Sequence, residues 1–364
     1  AQLSVKIDAA GNLIGRKDGK MEGPAILIGS HLDTVRGGGR FDGIAGVIAG
    51  IEMVRQLETK GIRTIHPLEI IVFAAEEPSP YGISTVGSRG MSGKLSKDLL
   101  ESMKDSDGRT LGEAIKWMGG DPENIHEAQR SPEEILAYLE LHIEQGPFLF
   151  DSETPIGVVT GISGIYRGKI EVIGKSDHAG TVPMEARRDA LAAASEVILA
   201  LENICQGLDD VVGTIGNIKV FPNSYNVVPG TVTLVMEIRS LIDSRAEAAM
   251  SLFKKGLQEI QERRDIRVSF EEGIGSAPVI FEAKMVERIR DACERLHIAY
   301  REMASGAGHD ASHMASLVPT GMVFIPSKDG RSHCPEEWSE FEHVGLGTDV
   351  LTEAIILIDR EGSP

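Results

Sequence analysis

Cysteine is scarce in this chain. Cys205, Cys293 and Cys334 are the three thiols among 364 residues. The count is odd and the spacings are long, so neither a disulfide framework nor a CxxC metal site is indicated, and a reducing cytoplasm fits best. Long apolar runs are missing: none approaches the roughly 20 residues of a membrane span. No charged-then-apolar signal segment opens the sequence. Basic charge is in deficit, with 37 Lys and Arg against 55 Asp and Glu and a net charge of −18. Without a Lys/Arg cluster to offset it, such a surface repels nucleic acid and anionic membranes. An anionic substrate would need locally placed arginines. There are no repeats or low-complexity tracts. What remains is an ordinary globular composition, 41% hydrophobic and 25% charged. At roughly 100–200 residues per domain, the length suggests two domains.

The first stretch reads as α/β. Ala25–Ser30 (AILIGS) is a short apolar run ending in a polar turn, as a buried strand should. From 43 to 60, Ile44, Val47, Ile48, Ile51, Val54 and Leu57 recur at helical spacing, and Gly61 stops the helix. Leu68–Ala75 (LEIIVFAA) is a second buried strand and Tyr138–Ile143 a third. Strand, helix, strand with continuous apolar strands predicts a covered parallel sheet. The middle differs. Strands at 165–173, 211–220, 231–239 and 266–271 alternate with helices at 185–203 and 244–264, giving βαββαβ, the ferredoxin-like order. The pattern then returns to α/β, with helices at 283–296 and 341–358 around a strand at 321–325. The expected architecture is a mostly parallel-sheet catalytic domain, residues 1–162 and 276–364, with a ferredoxin-like α+β domain inserted at 163–275.

Metal-ligating residue types recur where strands end. His31 closes a strand in GSHLDTV, and Asp33 stands two residues on, able to hold the imidazole by its second nitrogen. Asp42 lies in GGGRFDG at the mouth of a helix; alone it reads as an N-cap, but a carboxylate there can also bridge two ions. Glu76 and Glu77 end an apolar strand in FAAEEP, a costly place for two acids unless they are paired or ligated. One can bind metal while the other takes a proton from water. His142 sits in ELHIEQGP with Glu140 and Glu144 as rival ligands, and His333 in SHCPEEW follows a strand across a loop. Each histidine alone is unremarkable. Together, His31, Asp42, Glu77, His142 and His333, with Glu76 beside them, suffice for two divalent ions sharing one carboxylate, which points to a two-metal hydrolase. His66, His126, His297, His313 and His343 need no special role. His309 and Asp310, in GAGHDAS, are candidates for support behind the ligands.

These motifs, with DHAGTVPMEARRDA, YNVVPG and EIRS in the same order, resemble the M20 metallopeptidase-like superfamily, and within it the carbamoylase and allantoate amidohydrolase branch. The resemblance spans essentially the whole chain. It implies that His31 and His142 hold one ion, Glu77 and His333 the other, with Asp42 between them. Glu76 becomes the general base that activates water and later protonates the leaving nitrogen. The relatives that are peptidases generally carry a carboxylate where this chain has His142, so the histidine supports the amidohydrolase branch. His178 in DHAG would stabilise the oxyanion, reaching the site of a partner subunit in a homodimer formed through the inserted domain. Gln145, Asn226 and Arg239 would hold the substrate's carboxylate and amide, and Arg167 matches a substrate arginine of allantoate amidohydrolases. Zinc is the first expectation for the metal, with manganese, cobalt and nickel as alternatives. Cys334 stands where many relatives have serine, and the family's opening helix is expected to be absent or shortened.

The resemblance thus implies hydrolysis of a linear ureido C–N bond in N-carbamoyl-L-amino acids, releasing ammonia, carbon dioxide and the amino acid, in the cytoplasm. EEPSPYGIS looks more like the corresponding segment of ureidoglycolate amidohydrolases, so allantoate and ureidoglycolate are rival substrates. An aminopeptidase or aminoacylase, and a non-catalytic binding protein that kept the fold, are the remaining readings.

Overall fold

Buried apolar runs must pair their backbone groups with one another, because water cannot reach them. The computed structural model, which describes residues 2–273 and 275–361, shows how this chain does so. Its strands are β1 (Ser4–Ile7), β2 (Leu13–Lys17), β3 (Ala25–His31), β4 (Leu68–Phe73), β5 (Ile135–Ile143), β6 (Ile156–Ile162), β7 (Gly164–Ile173), β8 (Val211–Phe221), β9 (Thr231–Ser240), β10 (Arg267–Glu272), β11 (Val279–Ile280), β12 (Tyr300–Ser305) and β13 (Thr320–Ile325). The chain divides into two compact units, Ala1–Gly161 with Ile280–Pro364, and Ile162–Val279.

The larger unit is built on a sheet in the order β1-β2-β4-β3-β5-β13-β6-β11, with β12 on β6. Its centre is parallel, β4 with β3, β3 with β5 and β5 with β13. Its flanks are antiparallel: β1 with β2, β2 with β4 and β13 with β6. The central strands are the continuous apolar ones because helices cover them. Ile44–Thr59, Ala283–Leu296 and Phe341–Glu361 supply Met53, Val54, Ile289, Leu351 and Ile355 to one core with Ile26, Ile28, Leu139, Leu141 and Val323 of the sheet. The helix Ile44–Thr59 lies so close to β5 that a Cβ on Gly46 would stand 2.2 Å from the Leu141 carbonyl oxygen. A second cluster, including Val86, Leu100, Leu111 and Ile115, packs short helices between 86 and 117.

The smaller unit has the sheet order β10-β7-β9-β8, all pairs antiparallel. The helices Ala190–Gln206 and Asp243–Arg264 cover one face, burying Val197, Leu201, Ala249 and Phe253 on Ile170, Val172, Leu234 and Met236. The alternation along β9 is therefore strict: Val232, Leu234, Met236 and Ile238 are buried, while Thr233, Val235, Glu237 and Arg239 face away from the helices. Strand β8 is an edge, and Val212, Ile218 and Phe221 on it are exposed.

Candidate metal centre

In a parallel sheet all carboxyl ends lie on one side, so residues that end different strands meet there. His31 is the last residue of β3 and pairs in register with Phe73, the last of β4. His142 is the penultimate residue of β5, beside Phe324 of β13. Past β4 the chain turns through Ala75, at φ 47°, a left-handed conformation that costs of order 1–3 kcal/mol for a side-chain-bearing residue. The Asp33 carboxylate holds this turn in place by accepting the Glu76 and Glu77 N–H groups at 3.2 and 3.0 Å. Both acids are thereby buried at one strand end.

Asp42 is not the cap of the helix it precedes. Gly43, at φ 68°, occupies the N-cap position, and no side chain caps the helix. Only a residue without a Cβ fits at position 43, since that atom would lie 2.4 Å from the His31 ring. The Asp42 carboxylate is therefore available to three imidazoles. Its Oδ1 lies 3.4 Å from His31 Nε2 and 3.2 Å from His142 Nε2. Its Oδ2 lies 3.2 Å from His333 Nε2, which is in turn 3.6 Å from Glu77 Oε1.

These spacings suit cations better than hydrogen bonds. His31 Nδ1 stands 2.9 Å from the Asp33 carbonyl and His142 Nδ1 2.9 Å from the Ile143 carbonyl. A carbonyl only accepts, so both Nδ1 atoms carry hydrogen and both rings turn Nε2 toward the same carboxylate oxygen, with the Gly43 N–H 3.2 Å from His142 Nε2. Two such nitrogens and a carboxylate oxygen need positive charge between them, which either ring protons or a cation can supply. A tetrahedral ion with ligands at about 2.0–2.1 Å spaces its ligand atoms roughly 3.3 Å apart, close to the 3.2 and 3.4 Å observed. The ligand atoms of His31, Asp42 and His142 lie within 4.8 Å of one another, as do those of Asp42, Glu77 and His333. The donor set fits divalent metal.

The electrostatics agree. Burial opposes charging the His31 ring, but Asp42, Glu76, Asp310 and Asp33 overcome it and push its pKa up to about 11. His142 is raised in the same way: burial opposes, and Asp42 prevails. Burial works against the Asp42 carboxylate, yet the two imidazoles hold it well below the usual carboxylate range. Glu76 is pushed well up by burial and by the charge of Asp310, and Glu77 by burial and Asp42. Glu140 and Asp310, both fully buried, are raised chiefly by burial. So many acids around so little water create a site that demands counter-charge.

Several expectations need correcting in detail. Asp33 orients His31 through its backbone carbonyl, while its carboxylate Oδ1 stays 3.7 Å from the ring and serves Glu76 and Glu77 instead. Of the rival ligands, Glu140 is committed to Tyr138 Oη, Ser30 Oγ and the Ala311 N–H at 2.8, 3.2 and 3.1 Å. Strand β5 ends before Glu144, which turns to accept the Phe148 and Leu149 N–H groups. His309 packs its ring 4.5 Å from that of His142 and bonds Ser305 Oγ at 2.8 Å, a supporting position. Gln145 lies in the centre itself, donating to Asp42 Oδ2 at 2.7 Å. His66 is buried and meets Asp359 at 3.2 Å. Glu337 was not singled out from the sequence, because its partners are backbone groups almost 300 residues away; it accepts the Phe41 and Asp42 N–H groups at 2.9 and 3.1 Å.

The remaining candidates belong to the smaller unit. His178 and Asn226 are neighbours there: His178 bridges Val227, and the Ala179 N–H donates to the Asn226 carbonyl at 3.0 Å. The Gly180 N–H donates to His178 Nδ1 at 3.0 Å. The neutral ring therefore carries its hydrogen on an exposed Nε2. Arg167 and Arg239 share one counter-ion, Glu237, at 2.7 and 2.6 Å on the helix-free face of the sheet. The arginines and the His178–Asn226 pair lie at opposite ends of that sheet. Arg239 pairs with Ile165 near the start of β7, whereas the loop carrying His178 leaves the end of β7 at Ile173, opposite Thr231.

Comparison with known proteins places this geometry. Residues 27–357 match the profile described as peptidase family M20/M25/M40. An N-carbamoyl-L-amino acid amidohydrolase of Geobacillus stearothermophilus is 39% identical over 98% of this chain and 87% of its own length. A ureidoglycolate hydrolase of Oryza sativa subsp. japonica is 35% identical over 97% of this chain and 74% of its own. Among solved structures, an amidase of the hydantoinase/carbamoylase family from Burkholderia multivorans superposes with a TM-score of 0.89 at 35% identity, covering 98% of this chain and 86% of that one.

Proposed function

The chain belongs to peptidase family M20/M25/M40, and from that premise we propose that it is a metal-dependent amidohydrolase that cleaves the linear ureido C–N bond of N-carbamoyl-L-amino acids. One water is consumed, and the products are the amino acid, ammonia and carbon dioxide. The observation that carries this reading is the pair of Nε2 atoms of His31 and His142 turned on one oxygen of Asp42, with His333 and Glu77 about the other. We assign His31, His142 and Asp42 to one cation and Asp42, Glu77 and His333 to a second, zinc first among the candidates, then manganese, cobalt or nickel. Divalent cations held there supply Lewis acidity, polarising the ureido carbonyl and acidifying a water.

The protein's own groups do the rest. Glu76 stands beside the ligands without being one, with Oε2 at 3.8 Å from His31 Nε2. Burial raises its proton affinity, which suits a base that takes a proton from water and returns it to the leaving nitrogen. His178 offers its Nε2 hydrogen to the developing oxyanion, a contribution often worth about 3–4 kcal/mol per donor. Gln145, Asn226 and Arg239 bind the substrate's amide and carboxylate, the arginine through its planar fork. Asn226 and Arg239 cannot both reach one small substrate from one copy of the smaller unit. From Thr231 to Arg239 is eight steps of β9, roughly 26 Å at about 3.3 Å each. This separation supports a homodimer in which one copy lends His178 and Asn226 to the other's substrate, and the exposed apolar edge of β8 suits the contact. The free cysteines fit a cytoplasmic setting, and no helix among the described residues is long and apolar enough to cross a membrane.

Ureidoglycolate or allantoate is the second substrate reading, favoured by the placement of Arg167 beside Arg239 on Glu237. Ammonia release measured over N-carbamoyl-L-amino acids, allantoate and ureidoglycolate, with each metal restored to stripped protein, separates these readings. Cleavage of dipeptides with no ammonia from any ureido acid would overturn them all.

A further inference from the structure

We propose that Glu337 is a positioning residue that fixes the spacing between Asp42 and His333, and so governs uptake of the cation assigned to Asp42, Glu77 and His333. The proposal rests on the two-cation reading above. The two cation places are built differently. His31 and His142 stand on neighbouring parallel strands, and the sheet ladder sets their spacing. His333 has no such support: it lies in a loop, at φ 56°, with its side chain 48% exposed. Something must hold that loop against the Asp42 turn.

Glu337 does this from a position that is only 2% exposed. Its Oε1 accepts the N–H groups of Phe41 and Asp42, and its Oε2 accepts from Ser332 Oγ at 2.7 Å. Ser332, the residue before His333, lies 3.0 Å from Asp42 Oδ2. Glu337 thus ties the Asp42 backbone to Ser332 of the His333 loop, and the single Ser332 hydroxyl hydrogen lies within reach of both the Glu337 and the Asp42 carboxylates. Bonds to an ionised carboxylate are stronger than neutral ones. Phe41 and Trp338, edge to face at 5.3 Å, pack the apolar side of the joint. The fit leaves no slack: a Cβ on Gly39 would stand 2.2 Å from Glu337 Oε1 and 2.4 Å from its Cβ, so no rotamer of Glu337 avoids it. This accounts for a glycine of GGGRFDG and an acid of SHCPEEW that the ligand set leaves unexplained.

A carboxylate that merely satisfied buried amides would support both cation places alike. A positioning role is selective, and calorimetric titration of metal-free protein with Zn2+ tells the two apart. The parent shows two binding steps. Glu337→Gln keeps the shape but not the charge, and weakens one step by roughly 10–100-fold, the usual cost of losing support behind a ligand. The other step stays as in the parent, even where the melting temperature of the metal-free protein falls with the lost hydrogen bonds. Gly39→Ala, which enters the joint from the opposite side with Glu337 intact, gives the same selective loss and decides the matter alone if Glu337→Gln does not fold. Two parental steps in both variants overturn the proposal. So does an equal weakening of both steps with a lower melting temperature. Fewer than two steps in the parent defeats the two-cation reading itself, before any variant is made.

Discussion

Replacing Glu76 by Gln separates the proton carrier from the metal ligands. The substitution keeps the side chain's volume and removes its basicity. Glu76 Oε2 is 3.8 Å from His31 Nε2, outside the roughly 3.3 Å spacing of ligands around one tetrahedral ion. Cation content should therefore hold at the parental level, and KM should change little. The acids nearby are poor substitutes. Glu140 is fully engaged by Tyr138, Ser30 and Ala311, Asp310 is held by Ser88 at 2.5 Å, and Glu77 is placed as a ligand. General-base catalysis is worth about 10²–10⁴-fold. With no replacement at hand the upper part of that range applies, a fall in kcat of about 10³–10⁴, or roughly 4–5.5 kcal/mol of barrier. The assay is steady-state ammonia release with cation content measured on the same sample. A kcat within about tenfold of the parent would remove Glu76 from its role, and loss of a cation would make it a ligand instead.

Other consequences can be checked separately. Gly43→Ala should drive a methyl group into the His31 ring, 2.4 Å away, and cost the protein cation binding at the His31–His142 place, seen as a missing step in metal titration. Gly46→Ala should force the helix Ile44–Thr59 off the Leu141 carbonyl, an overpacking cost of about 1–3 kcal/mol; an unchanged melting temperature would contradict the packing described. Glu69 is expected to make stability depend on pH. Burial raises this carboxyl, but Arg130 and Arg16, at 2.8 and 2.7 Å, more than offset it and hold its pKa low. Its contribution is then present above the unfolded value of about 4.3 and fades as pH falls through the lower folded value. Glu69→Gln should destabilise by roughly 2–3 kcal/mol at neutral pH, less than a fully buried pair because both arginines keep some water. The gap from the parent should close in acid, and denaturant melts at pH 7 and pH 3 that differ by the same amount would count against the pairing.

The sequence disclosed the strands that carry ligands and concealed most of what holds them. Ala25–His31 and Leu68–Phe73 are short, mainly apolar runs that end in polar residues, so their ends, with His31 and Glu76, could be located from the apolar pattern. The β1–β2 hairpin leaves little trace because Ser4–Ile7 is only four residues long and exposed throughout, Val5 and Ile7 included. The short helices between 86 and 117 are six or seven residues long, too brief for a helical period to show. Asp42 read as a cap because caps and ligands draw on the same residue types; the left-handed Gly43 that displaces it leaves no such trace. The Asp33 carbonyl rather than its carboxylate meets His31, a distinction no side-chain pattern encodes. Glu337 is the clearest case, since its Oε1 serves the distant backbone amides of Phe41 and Asp42, and such partners obey no spacing rule. The DHAG histidine and the EIRS arginine gain meaning from the sheet, which sets them at opposite ends.

Crystals of the protein with zinc restored, measured on either side of the zinc absorption edge, address the shared carboxylate most directly. Two anomalous peaks flanking Asp42 are expected, one near His31 and His142 and one near Glu77 and His333. A single peak, or metal bound away from Asp42, would contradict the account.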